Sequence, residues 1–337
     1  MIKKKIKIAL ITILAILISS LIGGISLFLY TPISPGRLTT VEIKPGTGAW
    51  KISKILKKND IVTNAPMFMV LAMIRQKAKN LRAGTYRFDG NHYPDEILKM
   101  LFAGDYIKYR LTIKEGYNIF DIAERLRSEK IYFSKEDFIR IALSKDTTEI
   151  FGVNAPSMEG FLYPDTYEII PHMTPNEIID RMVSRFKEKY SPEMKLRASQ
   201  IGFTELQVLT LASMIEKEAQ SNDEKAIISS VFHNRLRVGM KLQSDPTAIY
   251  GLQGFRREIE PEDLRRNTPY NTYLCSGLPP GPICSPSKSS IKAALWPDDT
   301  RYLFFVSKGN GRHVFSRTFS EHSLGIEHLK SLKNQTH

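Results

Sequence analysis

The longest apolar run opens the chain. Residues 8 to 30, IALITILAILISSLIGGISLFLY, hold no charged side chain over 23 positions. At about 1.5 Å per residue this predicts a helix of roughly 34 Å, enough to cross a bilayer. Lys3, Lys4, Lys5 and Lys7 precede it. By the positive-inside rule they predict a cytoplasmic tail (1–7), a transmembrane helix (8–30) and everything beyond it outside the cytoplasm. A cleaved signal peptide usually has an apolar stretch of only about 7–15 residues and a small-residue cleavage site. Here the run is longer and no such site is clear, so the expectation is a retained single-pass anchor in the inner (plasma) membrane. A short Pro/Gly linker, 31–38, follows.

The next pattern is an internal repeat. VEIKPGTGAWKISKILKKNDIVTNAPMFMVLA from Val41 aligns without a gap with LTIKEGYNIFDIAERLRSEKIYFSKEDFIRIA from Leu111. Ile43/Ile113, Lys44/Lys114, Gly46/Gly116, Ile52/Ile122, Leu56/Leu126, Ile61/Ile131, Phe68/Phe138 and Ala72/Ala142 are identical pairs. Each copy reads as a strand, a glycine turn, an amphipathic helix with an i, i+3, i+4 apolar stripe, and a second helix. Asn64 and Ser134 are the expected N-caps of the two second helices. Leu81 to Phe88 reads as a strand and Pro94 to Phe102 as a short helix. The βαα unit resembles the LysM module, which binds N-acetylglucosamine-containing glycans, so 39–144 is expected to be a duplicated glycan-binding region. Duplication that simply builds a core from two similar units is the competing explanation.

From 145 to 337 the pattern changes to a mixed α+β domain. Thr174-Pro-Asn-Glu177 carries a capping-box signature ahead of Ile178, Ile179, Met182 and Phe186. Helices are expected over about 204–219, 223–238 and 320–332. Tyr302–Val306 and His313–Phe315 should form a hairpin around Gly309-Asn310-Gly311. The Gly/Pro/Asn-rich stretches between these elements are where substrate contacts usually sit.

On the 204–219 helix, Val208, Leu211, Ala212, Ile215 and Ala219 make one apolar face. Glu216 and Glu218 fall about 80° to either side of it, about 160° apart. Each borders the core, where burial can raise a carboxyl pKa. They are too divergent to flank one glycosidic bond as a pair, so either, if catalytic, would act alone or with help from another segment.

Charge sharpens this picture. The net charge is +13, and +9 once the four lysines before the anchor are set aside. Outside the cytoplasm this favours an anionic wall polymer or lipid over nucleic acid, although a solvated basic surface gives the same count. Two cysteines exclude a four-cysteine metal site. Cys275 and Cys284 bracket a turn-rich loop, and a disulfide is permitted there without being fixed by spacing.

LASMIEKEA (211–219), EGFLYPDTY (159–167), NRLRVGMKLQSDPTAIYG (234–251) and PYNTYLCSGLPPGPI (269–283) occur in an order that resembles the endolytic murein transglycosylase family, also called YceG-like. IKPGTG, AGTYRF and the N-terminal anchor agree with it. The resemblance runs from residue 1 to about 333. It implies that Glu218, the second glutamate of the EKE triplet, is the catalytic acid. It further implies cleavage of the MurNAc–GlcNAc β-1,4 bond of nascent peptidoglycan strands, giving 1,6-anhydro-MurNAc ends without a cofactor or metal. The expected partners are the glycan strands and peptidoglycan synthases. Gln243, Asp245, Tyr270, Asn271 and Tyr273, then Tyr163 and Asp165, are the candidates for orienting the sugars, because they lie within these motifs; YPD and SDP are also ordinary Asx-type turns.

Alternatives remain at this point. A muramidase-type hydrolase on the same scaffold would give reducing ends, and a membrane-anchored wall-binding scaffold would have no activity. Ser285-Pro-Ser-Lys288 matches S-x-x-K but lacks a K-T-G or S-D-N companion. No nucleotide-binding glycine motif or zinc motif occurs. His313, His322 and His328 read as surface or hairpin residues.

Overall fold

The computed structural model describes residues 2–34, 36–128, 131, 133–252 and 259–335, with side chains undescribed at 2–6, 9 and 330–335. Lys3, Lys4 and Lys5, on which the orientation of the anchor rests, therefore lie outside the described side chains. In order the elements are α1 (Ile2–Tyr30), β1 (Thr39–Ile43), α2 (Ala49–Lys58), α3 (Ala65–Ile74), β2 (Gly84–Phe88), α4 (Pro94–Ala103) and β3 (Tyr109–Thr112). Then come α5 (Ile119–Arg127), α6 (Lys135–Ala142), α7 (Lys145–Ile150), β4 (Thr166–Ile169), α8 (Pro175–Lys189), α9 (Pro192–Gln200) and α10 (Glu205–Glu218). The chain ends with α11 (Lys225–Arg237), α12 (Asp245–Ile249), α13 (Lys288–Leu295), β5 (Phe304–Ser307), β6 (His313–Ser316) and α14 (Phe319–Gln335). The fold is mixed α+β, and the described residues form three two-stranded sheets, β1-β2, β3-β4 and β5-β6. Within α1, Leu10–Tyr30 is long and apolar enough to cross a membrane.

Each repeat copy folds as strand, helix, helix, with a partner strand supplied later in the chain. Gly46 and Gly116 both sit at φ +76°, the left-handed turn that glycine enters without steric cost. Asn64 and Ser134 accept from the backbone N–H groups of Met67 and Asp137, the expected caps. The identical apolar pairs form the cores: Ile43/Ile113, Ile52/Ile122, Leu56/Leu126, Phe68/Phe138 and Ala72/Ala142 are all buried. Ile61 is buried while Ile131 is only partly so. The shared residues thus explain a shared core.

The chain divides into two compact units, Met1–Tyr109 with Ile169–His172, and Arg110–Glu168 with Met173–His337. The boundary therefore falls near 109, not at 144/145. The second copy belongs with the downstream elements, for a local reason. Gly116 N–H donates to the Ser285 carbonyl (2.9 Å), and Ser285 N–H donates to the Tyr117 carbonyl (2.7 Å). These bonds stitch the second repeat's turn to a distant loop. In the first unit, Val41, Ile43, Leu56, Phe68, Tyr86, Phe88, Ile97 and Leu101 build the core around the antiparallel β1-β2 pair. In the second, Thr174 and Glu177 complete the capping box at the head of α8. The β5-β6 hairpin forms as expected, but His313 is buried rather than on the surface, its Nδ1 2.8 Å from Glu224.

Candidate active site

α10 is the rigid element on which the candidate acid stands. Thr204 caps it, exchanging hydrogen bonds with Gln207. From Val208 to Ile215 every residue is buried. Ser213 Oγ accepts from Ile283 N–H (3.0 Å), so the 269–284 loop is pinned across the helix. The helix ends at Glu218, and Ala219 leaves in an extended conformation.

Glu218 keeps part of its surface open while protein crowds the rest. Its Oε1 accepts a 2.5 Å hydrogen bond from Ser244 Oγ. Burial pushes its pKa from 4.5 up to about 7; the Ser244 bond and Arg235 oppose the rise, and Asp245 adds to it. A carboxyl in this state is protonated near neutrality and still reachable.

The segment that carries Ser244 is held from three directions. Gln243 adopts φ +50°, a left-handed conformation that costs a non-glycine residue about 1–2 kcal/mol. Its N–H donates to the Thr272 carbonyl, and Ser244 N–H donates to Thr272 Oγ1 (3.0 Å). Thr247 Oγ1 donates to the Ser244 carbonyl and lies 2.9 Å from Thr272 Oγ1. Arg235 sends Nη1 to the Leu242 carbonyl (2.7 Å) and Gln243 Oε1 (3.5 Å), and Nε to the Leu303 carbonyl. Asp245 opens α12 and accepts a 2.5 Å bond from Tyr273 OH. Gln243, Asp245 and Tyr273 are thereby gathered about Glu218. Ser244 and Arg235, which make and brace the key contact, were not singled out from the sequence.

The other four candidates sit differently. Tyr270 packs with its ring tilted and 4.5 Å from that of Tyr250, whose hydroxyl donates to Glu159 Oε2 (2.8 Å). Glu159, also missed from the sequence, is only 1% exposed and accepts a second bond from Ile119 N–H. Its Oε1 is buried without a hydrogen-bond partner, and burial pushes its pKa up to about 7 against the Ile119 and Tyr250 bonds. Gly160, at φ +81°, follows it; a Cβ there would stand 2.5 Å from Pro282. Asn271 is fully buried, giving both amide protons to the Leu264 and Arg266 carbonyls and accepting from Tyr273 N–H. Its side chain frames the loop, with both amide protons committed and no exposure to solvent. Tyr163 is buried, and its carbonyl accepts from Tyr167 OH. Asp165 pairs with Arg185 (2.6 Å), and its carbonyl takes Ile113 N–H. Both belong to the β3-β4 framework.

Glu216 is spoken for. Its Oε2 receives Lys225 Nζ (3.2 Å), Ser287 N–H (2.9 Å), Ser287 Oγ (2.5 Å) and Ser290 Oγ (2.6 Å). Burial would raise its pKa, but the Ser287 and Ser290 bonds and Lys225 outweigh that and lower it. It is an ionised anchor for the head of α13. On this edge of α10 lies a cleft of about 700 Å³ lined by Glu115, Tyr117, Asp121, Arg125, Lys217 and Gln220, among others; Glu218 is outside its wall. Cys275 and Cys284 are free thiols, Cys284 buried with its Sγ 3.4 Å from the Ser213 carbonyl.

A partly open carboxyl, protonated near pH 7 and flanked by a tethered hydroxyl and a guanidinium, is the equipment of a general acid. The chain belongs to the YceG-like family, whose model matches residues 41–328. It is 33% identical over 338 residues to the endolytic murein transglycosylase of Bacillus subtilis, covering 94% of this chain and 92% of that one. It is 28% identical over 330 residues to the endolytic murein transglycosylase of Streptococcus pneumoniae, spanning 88% of this chain but 60% of the pneumococcal protein. The crystal structure of a yceG-like protein from Listeria monocytogenes matches with a TM-score of 0.59 and 31% identity, over 86% of this chain and 98% of that one.

Proposed function

We propose that this chain is a lytic transglycosylase that cuts peptidoglycan glycan strands internally, with Glu218 as its acid and base. The observation that carries this reading is the state of Glu218. Of the two carboxyls raised to about 7, Glu159 is sealed and Glu218 is open. The protonated Glu218 gives its proton to the oxygen bridging MurNAc C1 and GlcNAc C4, and the C1–O bond breaks. The muramyl 6-hydroxyl attacks C1 and returns its proton to the Glu218 carboxylate. The products are a 1,6-anhydro-MurNAc end and a free GlcNAc 4-hydroxyl, with no water consumed. One carboxyl suffices because the same group serves both steps. Ser244 holds it in place, and Arg235 favours the carboxylate left after the first transfer.

Gln243 and Tyr273 are the sugar-orienting groups in this reading, and Tyr270 adds an aromatic surface. Strands running past the second repeat would use the cleft beside α10, whose mixed charge and polar lining suit saccharide and peptide-stem contacts. The glycan-binding role of 39–144, an extracytoplasmic position on the α1 anchor and association with peptidoglycan synthases belong to the same proposal.

One observation favours a rival. Asp245 lies close enough to raise the Glu218 pKa, so a hydrolase could use it as the second carboxylate. Digestion of purified peptidoglycan in heavy-oxygen water separates the two by mass spectrometry. Unlabelled anhydro ends are expected; labelled reducing ends would replace the transglycosylase reading with the hydrolase. No cleavage would leave a wall-binding scaffold.

A further inference from the structure

We propose that the outer face of α3, in the first compact unit, lies in the membrane surface beside α1, so that this unit is held by the bilayer as well as tethered to it. The proposal rests on the reading of α1 as a membrane anchor. Helix α3, APMFMVLAMI, is apolar all round. Ala65, Phe68, Leu71 and Ala72 are buried against the unit's core, yet the opposite side is Pro66, Val70, Met73 and Ile74. Val70 is 47% exposed, Met73 53% and Ile74 72%. A helix on a water-facing surface carries polar residues on its outer side; one that is apolar all round belongs in a core or in lipid.

The second repeat supplies an internal control. At the positions 70 residues later, Pro66 becomes Glu136, Val70 becomes Arg140 and Ile74 becomes Ser144, while Met73 becomes Leu143, which is 39% exposed. Arg140 and Glu136 are exposed there, and Arg140 pairs with Asp137. The same scaffold thus takes a mainly polar face in the copy that belongs to the other unit.

Position selects the occupant. Met67, partly buried at the edge of that face, brings its Cε to 4.0 Å from where a Cβ on Gly24 would stand. Gly24 precedes the end of α1 by six residues, about 9 Å along the axis. Interfacial helices bury their apolar face about 5–10 Å deep, so α3 meets α1 at the depth such a helix occupies. The join is firm, because Phe28 is buried in the unit's core and Leu29 packs against it. The elements packed on α3 carry the features of a headgroup layer. Trp50 is 47% exposed with Lys54 Nζ 5.1 Å over its ring, and Lys77 covers Phe102 at 4.7 Å. Lys51, Lys57 and Lys58 line α2, which packs on α3. The surface suits a bilayer with anionic lipid.

Nitroxide labels on the full chain, reconstituted in phosphatidylcholine/phosphatidylglycerol vesicles, test this. The background is Cys275→Ser, since Cys284 is buried. Labels at Val70→Cys and Ile74→Cys are compared with Ile16→Cys in α1 and Val238→Cys, which is 64% exposed in the second unit. The expected result is several-fold greater accessibility to oxygen relative to a water-soluble nickel chelate at 70 and 74 than at 238. Aqueous behaviour at 70 and 74 with a deep signal at 16 overturns the proposal and leaves the anchor standing. Shielding of 70 and 74 from both reagents also overturns it, in favour of a second copy covering the face. Aqueous behaviour at 16 removes the anchor itself.

Discussion

Glu218→Gln should abolish activity and at the same time stabilise the protein above neutral pH. The side chain keeps its size and can still accept from Ser244 Oγ, but the proton to be transferred is gone. General acid–base help is worth about 10²–10⁴ in rate, so digestion should fall by at least that much. The stability effect follows from linkage. Burial raises the folded-state pKa from 4.5 to about 7. Between those values the native state holds a proton that the unfolded state has released, so wild-type stability declines as pH rises through this window and is flat beyond it. The 2.5-unit difference corresponds to about 3 kcal/mol, and glutamine, which does not titrate, avoids the loss. Urea unfolding of the detergent-solubilised chain can follow the second unit through Trp296 in a Trp50→Phe background. Near pH 4.5 the Glu218→Gln and parent proteins should be similarly stable, and at pH 8 the variant should be more stable by about 2–3 kcal/mol. A stability difference that does not change with pH would show that the carboxyl is not shielded, and the case for a neutral acid at pH 7 would fall with it.

Activity should persist below pH 7 and decline above it, because the acid must be protonated. Asp245→Asn removes a charge that raises the Glu218 pKa, so the alkaline limb should move to lower pH with cleavage retained; complete loss without a limb shift would point to the hydrolase. Ser244→Ala removes the bond that favours the carboxylate and should move the limb the other way, read from initial rates across pH. Glu216→Gln strands the Lys225 ammonium, whose side chain is 7% exposed, and should cost about 3 kcal/mol in chemical denaturation while sparing far more activity than Glu218→Gln. Equal inactivation at full stability would move the acid to Glu216. Tyr250→Phe takes one of two donors from the buried Glu159 carboxyl and should lower thermal stability without shifting the alkaline limb.

Local pattern made much of this molecule readable. The apolar run, the glycine turns, the caps at Asn64, Ser134 and Thr174, and the opposed edges occupied by Glu216 and Glu218 all depend on residues within a few positions of each other. The misses share a different cause. Ser244 reaches Glu218 from 26 residues away, and Tyr250 reaches Glu159 from 91. In QSDP the neighbours Gln243 and Asp245 were singled out, yet the hydroxyl between them makes the bond. In EGFLYPDTY, Tyr163 and Asp165 drew notice as turn residues, while the informative feature was Glu159 ahead of the apolar Gly-Phe-Leu. A lone glutamate leading such a run has to be buried or spent, and Glu159 is buried. The domain boundary escaped for the same reason. Gapless alignment suggests two copies side by side, but the bonds of Gly116, Tyr117 and Ile119 to Ser285 and Glu159 decide where the second copy belongs.

The repeat shows how one core can be kept while its surroundings diverge. Positions identical in both copies are mainly the buried ones, so exchange there would open cavities at several kcal/mol each. Divergence sits at positions that meet something else. Trp50 is exposed beneath a lysine, whereas its counterpart Phe120 lies 6.5 Å from Tyr250 in the network that holds Glu159. Gly48 caps α2 without a side chain, whereas at the head of the second copy's helix Ile119 donates its N–H to Glu159. Val70 faces outward as an apolar residue, whereas Arg140 faces outward as an ion-paired one. A duplication maintained only to bind glycan would tend to keep its surface residues alike and let its core drift by volume-conserving swaps. Here the core is shared and each surface follows its own neighbours: Ile119 and Phe120 of the second copy buttress the Glu159 network, and α3 of the first copy lies beside the apolar helix α1.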